Sequence, residues 1–281
     1  MKQTVLIITF LISFTTLHAQ GNFDIDQNKT NSGIINNIGS DATSFYKTSL
    51  DFVQSPFHFG SKEFMMTGII TGVTALAFTL DNPIRDAMKR NHSSSLDNIT
   101  SVGEKLGAAQ YGIALSGALY LSGQLAQEPG LRKTGLMLAE ALFLNGLTTG
   151  ILKVTIGRSR PYGNDGNTDL DFFRLDDEDN SLPSGHTSTA FTIATVLSQR
   201  IDNTYATIAL YSFAGLTAAQ RIYADKHWFS DVVLGAALGT VIGLKVVDLN
   251  SEYDEQNSSV KMNVYPVVSN RGYGAGLMLN F

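Results

Sequence analysis

The chain contains no cysteine and a single tryptophan, Trp228. Without cysteine there are no disulfides, no thiolate metal ligands and no thiol nucleophile, so an exported chain of this kind is held by its core. An excess of positive charge is also missing. The formal net charge is -5, which argues against nucleic acid as a partner. Charge of either sign is scarce, at 16% of 281 residues, and it gathers in short joints between long uncharged runs. Internal repeats and low-complexity segments are absent too. A chain of this length can bury a core in one domain.

The N-terminus reads as a secretory signal over residues 1–19. Lys2 gives a positive start, Val5 to Leu17 an apolar stretch, and Leu17-His18-Ala19 a small-residue cleavage site. A retained anchor is the alternative, but the apolar run falls short of the roughly 20 residues of a span. Residues 20–61 are polar, Asn-rich and aperiodic, and are expected to form an extended or loosely packed N-terminal extension. An all-α domain over 62–250 follows. Six apolar runs predict its helices: Phe64–Leu80, Leu106–Gln127, Leu136–Leu152, His186–Gln199, Asn203–Gln220 and Val232–Leu244. Asp81-Asn82-Pro83 breaks the first run and Glu128-Pro129-Gly130 makes the turn after the second. In residues 251–281 apolar and polar positions alternate on either side of Ser269-Asn270-Arg271-Gly272, which predicts a short C-terminal β-hairpin lying on the helical bundle.

Two glycine stripes favour a membrane over water as the solvent of this bundle, and Glu140 weighs against it. Gly235, Gly239 and Gly243 form a stripe at four-residue spacing, as do Gly68 and Gly72, and such stripes let helices approach closely in lipid. Glu140, alone in the third run, would cost roughly 2.5–3.5 kcal/mol in mid-membrane unless it meets a partner inside the bundle. Soluble bundles use small residues in the same way, so that reading stays open.

Three polar clusters interrupt the apolar runs. Lys153 and Arg160 lie seven residues apart, two helical turns, and Pro161 is expected to stop the helix with both cations at its mouth. Cations at a helix C-terminus also answer the helix dipole, which is the bland reading. Pro183-Ser184-Gly185-His186 opens the next helix, with Ser184 as cap and Gly185 leaving its N–H groups open to an anion. Arg221, His227 and Asp231 fall within eleven residues, where a carboxylate four residues after the imidazole can grip one ring nitrogen and leave the other free. A surface hydrogen bond is the alternative. Between the first two clusters, residues 164–180 hold Asp165, Asp169, Asp171, Asp176, Asp177, Glu178 and Asp179 against Arg174. This loop reads as solvated, with a lid, a calcium site or a filter against polyanions as other readings; its irregular spacing is unlike an EF-hand.

Taken together, the three clusters resemble the signature of the type 2 phosphatidic acid phosphatase superfamily, with bacterial class A acid phosphatases and vanadium haloperoxidases. The first part matches at Lys153 through Arg160-Pro161, the second at Pro183-Ser184-Gly185-His186, and the third at Arg221, His227 and Asp231. The resemblance covers Phe64 to Leu249. Gln220 stands where the family usually has serine. The resemblance implies a phosphomonoesterase with no cofactor and no metal, in which Lys153, Arg160, Arg221 and the Ser184-Gly185 backbone hold phosphate. His227 would be the nucleophile, Asp231 its partner and His186 the acid and base, whereas His58 and His92 have no such setting. It further implies a lipid phosphate or small phosphate ester as substrate, and a membrane-associated, periplasm-facing site in the cell envelope. A vanadate-dependent haloperoxidase and a non-catalytic envelope protein are the alternatives.

Overall fold

The computed structural model of the chain describes residues 27–93, 102–173, 180–258, 261–269 and 272–280. The expected signal over 1–19 and residues 174–179 of the acidic loop lie outside them. The helices in order are α1 (Gln27–Gln54), α2 (Ser61–Phe78), α3 (Asp81–Arg90), α4 (Ala109–Leu125), α5 (Pro129–Ile156), α6 (Gly185–Ile201), α7 (Thr204–Tyr223) and α8 (Phe229–Ser258), with a short helical segment over 102–107. The expected all-α class holds, and each of the six apolar runs forms a helix.

Two helices depart from the sequence reading. Residues 27–54, expected as part of an extended lead-in, are helical throughout. The chain divides into two compact units at this helix, residues 1–40 and 41–281. Within the second unit the reason is a sparse stripe at helical spacing. Asp41 accepts hydrogen bonds from Tyr120 and Arg132, Phe45 meets the Phe143 ring at 5.6 Å, Thr48 is buried, and Phe52 packs on the core. Polar residues between these positions hide the periodicity. The second departure is α3, which starts at the expected break. Pro83 falls in its first turn, where a missing N–H costs no hydrogen bond, and the chain turns by 53° between α2 and α3.

The core lies between α5, α6 and α8. Met137, Leu138, Ala141, Leu142 and Leu144 of α5 meet Val196 of α6 and Ile242 and Val246 of α8. The glycine stripe of α8 forms the seam with α6. A methyl at Gly239 would stand 2.2 Å from the Ser188 carbonyl oxygen, and one at Gly243 would stand 2.8 Å from Thr195 Cβ. Gly68 and Gly72 face open space instead, so the α2 pair makes no such seam. Glu140 is fully buried and accepts a hydrogen bond of 2.7 Å from Asn250, the interior partner its position required.

Among the described residues two helical stretches are long and apolar enough to cross a membrane: Pro129–Ile156, with mean hydropathy 1.4, and Phe229–Glu252, with mean hydropathy 1.9. The bent α2–α3 pair is a third if it forms one broken span. Phe64, Met65, Ile69 and Leu76 on α2 and Phe143, Leu147 and Ile151 on α5 are exposed, as lipid-facing side chains would be. The C-terminal hairpin gains no support as part of this fold. Its strands, Lys261–Ser269 and Gly272–Asn280, are joined to each other, and nothing supports their expected packing on the bundle.

Candidate active site

Four helix ends build the site: the C-termini of α5 and α7 and the N-termini of α6 and α8. Gly157, not Pro161, stops α5. It adopts the left-handed conformation (φ 57°) that a glycine takes without strain, and its N–H closes the last turn on the Lys153 carbonyl. Lys153 and Arg160 therefore do not share a helix face. Lys153 leaves the last turn of α5 and lies beside Gly185, at whose Cβ position its Cε would be 3.8 Å away. Its Nζ donates to the Asn180 carbonyl. Arg160 arrives from the extended segment after Gly157, where Arg158 bridges Leu170 and the Ser159 hydroxyl donates to Asp169 at 2.5 Å. These contacts tie down part of the acidic loop.

Asp231 is fully buried, in the first turn of α8. Its Oδ2 accepts from the Trp228 N–H at 2.8 Å and from the Ser181 hydroxyl, and its Oδ1 accepts from Arg158. His227 Nδ1 lies 3.5 Å from Asp231 Oδ2 but 3.3 Å from Ser181 Oγ. The expected direct grip of the carboxylate on the imidazole is thus shared with a serine hydroxyl that bridges them. With Nδ1 turned to this pair, Nε2 is the nitrogen left to face a substrate. Trp228, 1% exposed, fixes the segment by donating Nε1–H to the Ser159 carbonyl at 2.9 Å.

Burial pushes the His227 pKa down to about 3, with Lys153 and Arg160 adding to the shift against the opposing pull of Asp231. His186, in the first turn of α6, is lowered to about 4, first by burial and then by Arg221, Arg160 and Lys153. Both rings are therefore neutral at pH 7. Lys153 and Arg160 bear on both histidines and Arg221 on His186, which puts the three cations around one space. Arg221 is buried, its Nε without a hydrogen-bond partner, while its Nη1 donates to Gln220 Oε1 at 3.2 Å and lies 3.6 Å from Glu104. Gln220 thus helps to orient Arg221.

Ser184 occupies the N-cap of α6, but its hydroxyl pairs with the Thr187 hydroxyl at 2.9 Å and not with a backbone N–H. Its own N–H donates to the Asp231 carbonyl at 3.0 Å, binding the start of α6 to that of α8. The Gly185 Cβ direction meets nothing closer than Lys153, so space for an anion is open there. Ser181, Arg158, Asp81 and Glu104 escaped the sequence reading. Arg158 alone carried a signal, as a third cation between Lys153 and Arg160. His58 and His92 lie elsewhere: His58 Nδ1 is 3.1 Å from the Gln54 carbonyl oxygen, and His92 stacks on Tyr223 at 4.1 Å. Among the described residues no group of three or more His, Asp or Glu side chains could hold a metal ion.

Residues 134–252 match the model of the PAP2 superfamily, so this region of the chain is similar to that family. The match takes in α6, α7, most of α5 and α8, and every expected site residue. Among characterised relatives, a lipid A 1-phosphatase from Porphyromonas gingivalis is 38% identical over 93 residues, which are 32% of this chain and 18% of that protein. The chain thus spans under a fifth of that relative's length. A transmembrane PAP2 type phosphatidylglycerolphosphate phosphatase from Bacillus subtilis shares the fold, with a TM-score of 0.54 at 21% identity over 70% of this chain and 98% of that one. LpxE from Aquifex aeolicus gives 0.47 at 25% identity over 60% and 95%.

Proposed function

We propose that the protein is a metal-independent phosphatase that hydrolyses a lipid phosphate monoester through a phosphohistidine on His227. The observation that carries this reading is a buried, neutral imidazole beside Asp231, sharing its space with the cations Lys153 and Arg160. A phosphoryl group in transfer spreads negative charge over its equatorial oxygens, and fixed cations answer that charge without a metal. Lys153, Arg160 and Arg221 hold those oxygens, with the free N–H groups at Gly185 and His186.

In the first step His227 Nε2 attacks phosphorus in line, the P–N bond forms, and the ester P–O bond breaks. The ring becomes cationic, and Asp231 answers it directly and through Ser181. His186 gives its proton to the departing alkoxide. That proton comes with the substrate, because phosphate opposes the three cations that, with burial, hold the His186 pKa down. Neutral His186 then takes a proton from the water that attacks phosphorus, which releases phosphate and restores His227.

A lipid substrate fits the apolar helices α5 and α8 that flank the site and the name of the P. gingivalis relative. The protein then sits in the cell envelope with α5 and α8 spanning a membrane and the site facing the periplasm, after export by the signal over 1–19. A panel of lipid phosphates and p-nitrophenyl phosphate, assayed in EDTA, tests the reading. Release of phosphate in EDTA is expected, with a lipid preferred. Bromide oxidation by peroxide with added vanadate, without phosphate release, would make the protein a haloperoxidase, and inactivity in both assays would leave a non-catalytic envelope protein.

A further inference from the structure

Behind Asp231 lies a second carboxylate that the reaction above does not use. Asp81, at the bend between α2 and α3, is 1% exposed, and Arg158 and Asp231 are each 0% exposed. Arg158 Nη1 donates to Asp231 Oδ1 at 2.5 Å and to Ser230 Oγ at 2.7 Å, while Nη2 donates to Asp81 Oδ2 at 2.6 Å. Asp81 Oδ1 accepts the Ser230 N–H at 2.8 Å. The Arg158 guanidinium stands over the Phe78 ring at 4.0 Å and near that of Trp228 at 5.5 Å. Asn167 completes the enclosure, its carbonyl accepting from Arg158 Nε at 2.9 Å and its side chain donating to the Phe78 carbonyl at 3.1 Å.

Two carboxylates share one guanidinium here, away from water. Arg158 and Asp81 cancel, so Asp231 keeps about one negative charge to answer the cationic ring of phosphorylated His227. A lone Arg158 would be answered by Asp231 instead, and the histidine would lose its counter-charge. Without Arg158 two carboxylates would stand behind the ring, and the negative charge facing it would grow. Other charges facing His227 are Lys153 from α5 and Arg160 from the segment after it, with the neutral Ser181 hydroxyl between His227 and Asp231.

We infer that Asp81 and Arg158 are positioning residues for the reaction: they orient Asp231 and set the net charge behind His227, tying the α2–α3 bend to the chemistry. The inference rests on the phosphatase reading. It requires opposite effects from opposite charge changes, which a purely structural role would not give. Asp81→Asn should lower the His227 pKa and Arg158→Met should raise it, each by roughly one unit, while Asp81→Asn/Arg158→Met returns toward the wild-type value. Asp81→Asn should also lower kcat about 10- to 100-fold with KM changed by less than about threefold.

The experiment titrates the histidines of the full chain in detergent by NMR with labelled imidazole carbons, the His227 signal being assigned by its loss in His227→Gln. It needs no turnover. Steady-state kinetics on a lipid phosphate and melting temperatures accompany it. Opposite shifts in the single variants, with recovery in the double, carry the inference. Shifts of the same sign in both variants, or no shift in a folded Asp81→Asn, overturn it. If Arg158→Met fails to fold, Asp81→Asn and Arg158→Lys decide: the lysine should keep the wild-type His227 pKa and most of kcat. A wild-type protein that hydrolyses no phosphate ester defeats the phosphatase reading instead, and the titration shows whether the charge arrangement survives it.

Discussion

His186 carries the most easily separated of the proposed roles. An alkoxide needs a proton as it leaves, whereas the anion of an acidic phenol needs little help. His186→Ala should therefore damage hydrolysis of an alkyl phosphate far more than the first step with p-nitrophenyl phosphate. Acid-labile phosphoenzyme should then accumulate, because the base for its hydrolysis is gone. Equal losses on both substrates would mean that His186 binds phosphate and moves no proton. Most of the residues with proposed roles stood out in the sequence because phosphate chemistry needs a few residue types at fixed spacing. Ser181 was not legible, because an isolated serine in a polar stretch carries no pattern. Its bridging place between His227 and Asp231 depends on a loop packing under α8, as does the pairing of Arg158 with Asp81, 77 positions earlier in the chain.

At the scale of elements, the α6–α8 seam brings Ser184 to Asp231, so its close packing holds the site together. Gly239→Ala puts a methyl 2.2 Å from the Ser188 carbonyl oxygen, and backbone must move. It should destabilise by about 1–3 kcal/mol. Gly72→Ala, on the open face of α2, should be neutral or stabilise by up to about 1 kcal/mol through helix propensity. Denaturation in detergent compares the two, and equal effects would remove the seam from the account. The apolar runs made the helices readable, and the glycine spacing showed close packing in α8 but misled in α2. Helix ends were harder. Pro161 looked like the stop of α5, but Gly157 had already closed the helix on the Lys153 carbonyl in a left-handed turn. The helix α1 was missed because its buried stripe mixes Asp41 and Thr48 with Phe45 and Phe52, and an acid paired with Arg132 reads as surface when its partner is far along the chain.

For the whole molecule, two buried histidines link folding to pH. Unfolded imidazoles take up protons near pH 6.5, whereas folded His186 and His227 resist until about 4 and about 3. Between these limits the unfolded chain binds more protons, so stability is lost as pH falls from 6.5 toward 3. The melting temperature should drop across this window, and less steeply in His186→Asn. A parallel drop in the variant would show that His186 is not the cause.

The absence of cysteine makes orientation measurable with one introduced thiol. Asn167 is unsuitable, since it braces Arg158 and Phe78, but Asp165 is exposed in the loop after Arg160. In Asp165→Cys cells an impermeant thiol reagent, given passage through any outer membrane, should label the protein. Labelling only after the inner membrane is breached would put the loop in the cytoplasm and remove the periplasmic assignment.

The central claim is that His227 forms the covalent intermediate without a metal. Its most direct measurement is hydrolysis of a 32P-labelled lipid phosphate in EDTA by wild type and His227→Ala, with acid-labile radioactivity on the protein followed after rapid quenching. Wild type should turn over and carry label, and His227→Ala should lose kcat by at least about a thousandfold and carry none. Substantial turnover by His227→Ala, or a wild type that stops in EDTA and recovers with added divalent metal, would contradict the account.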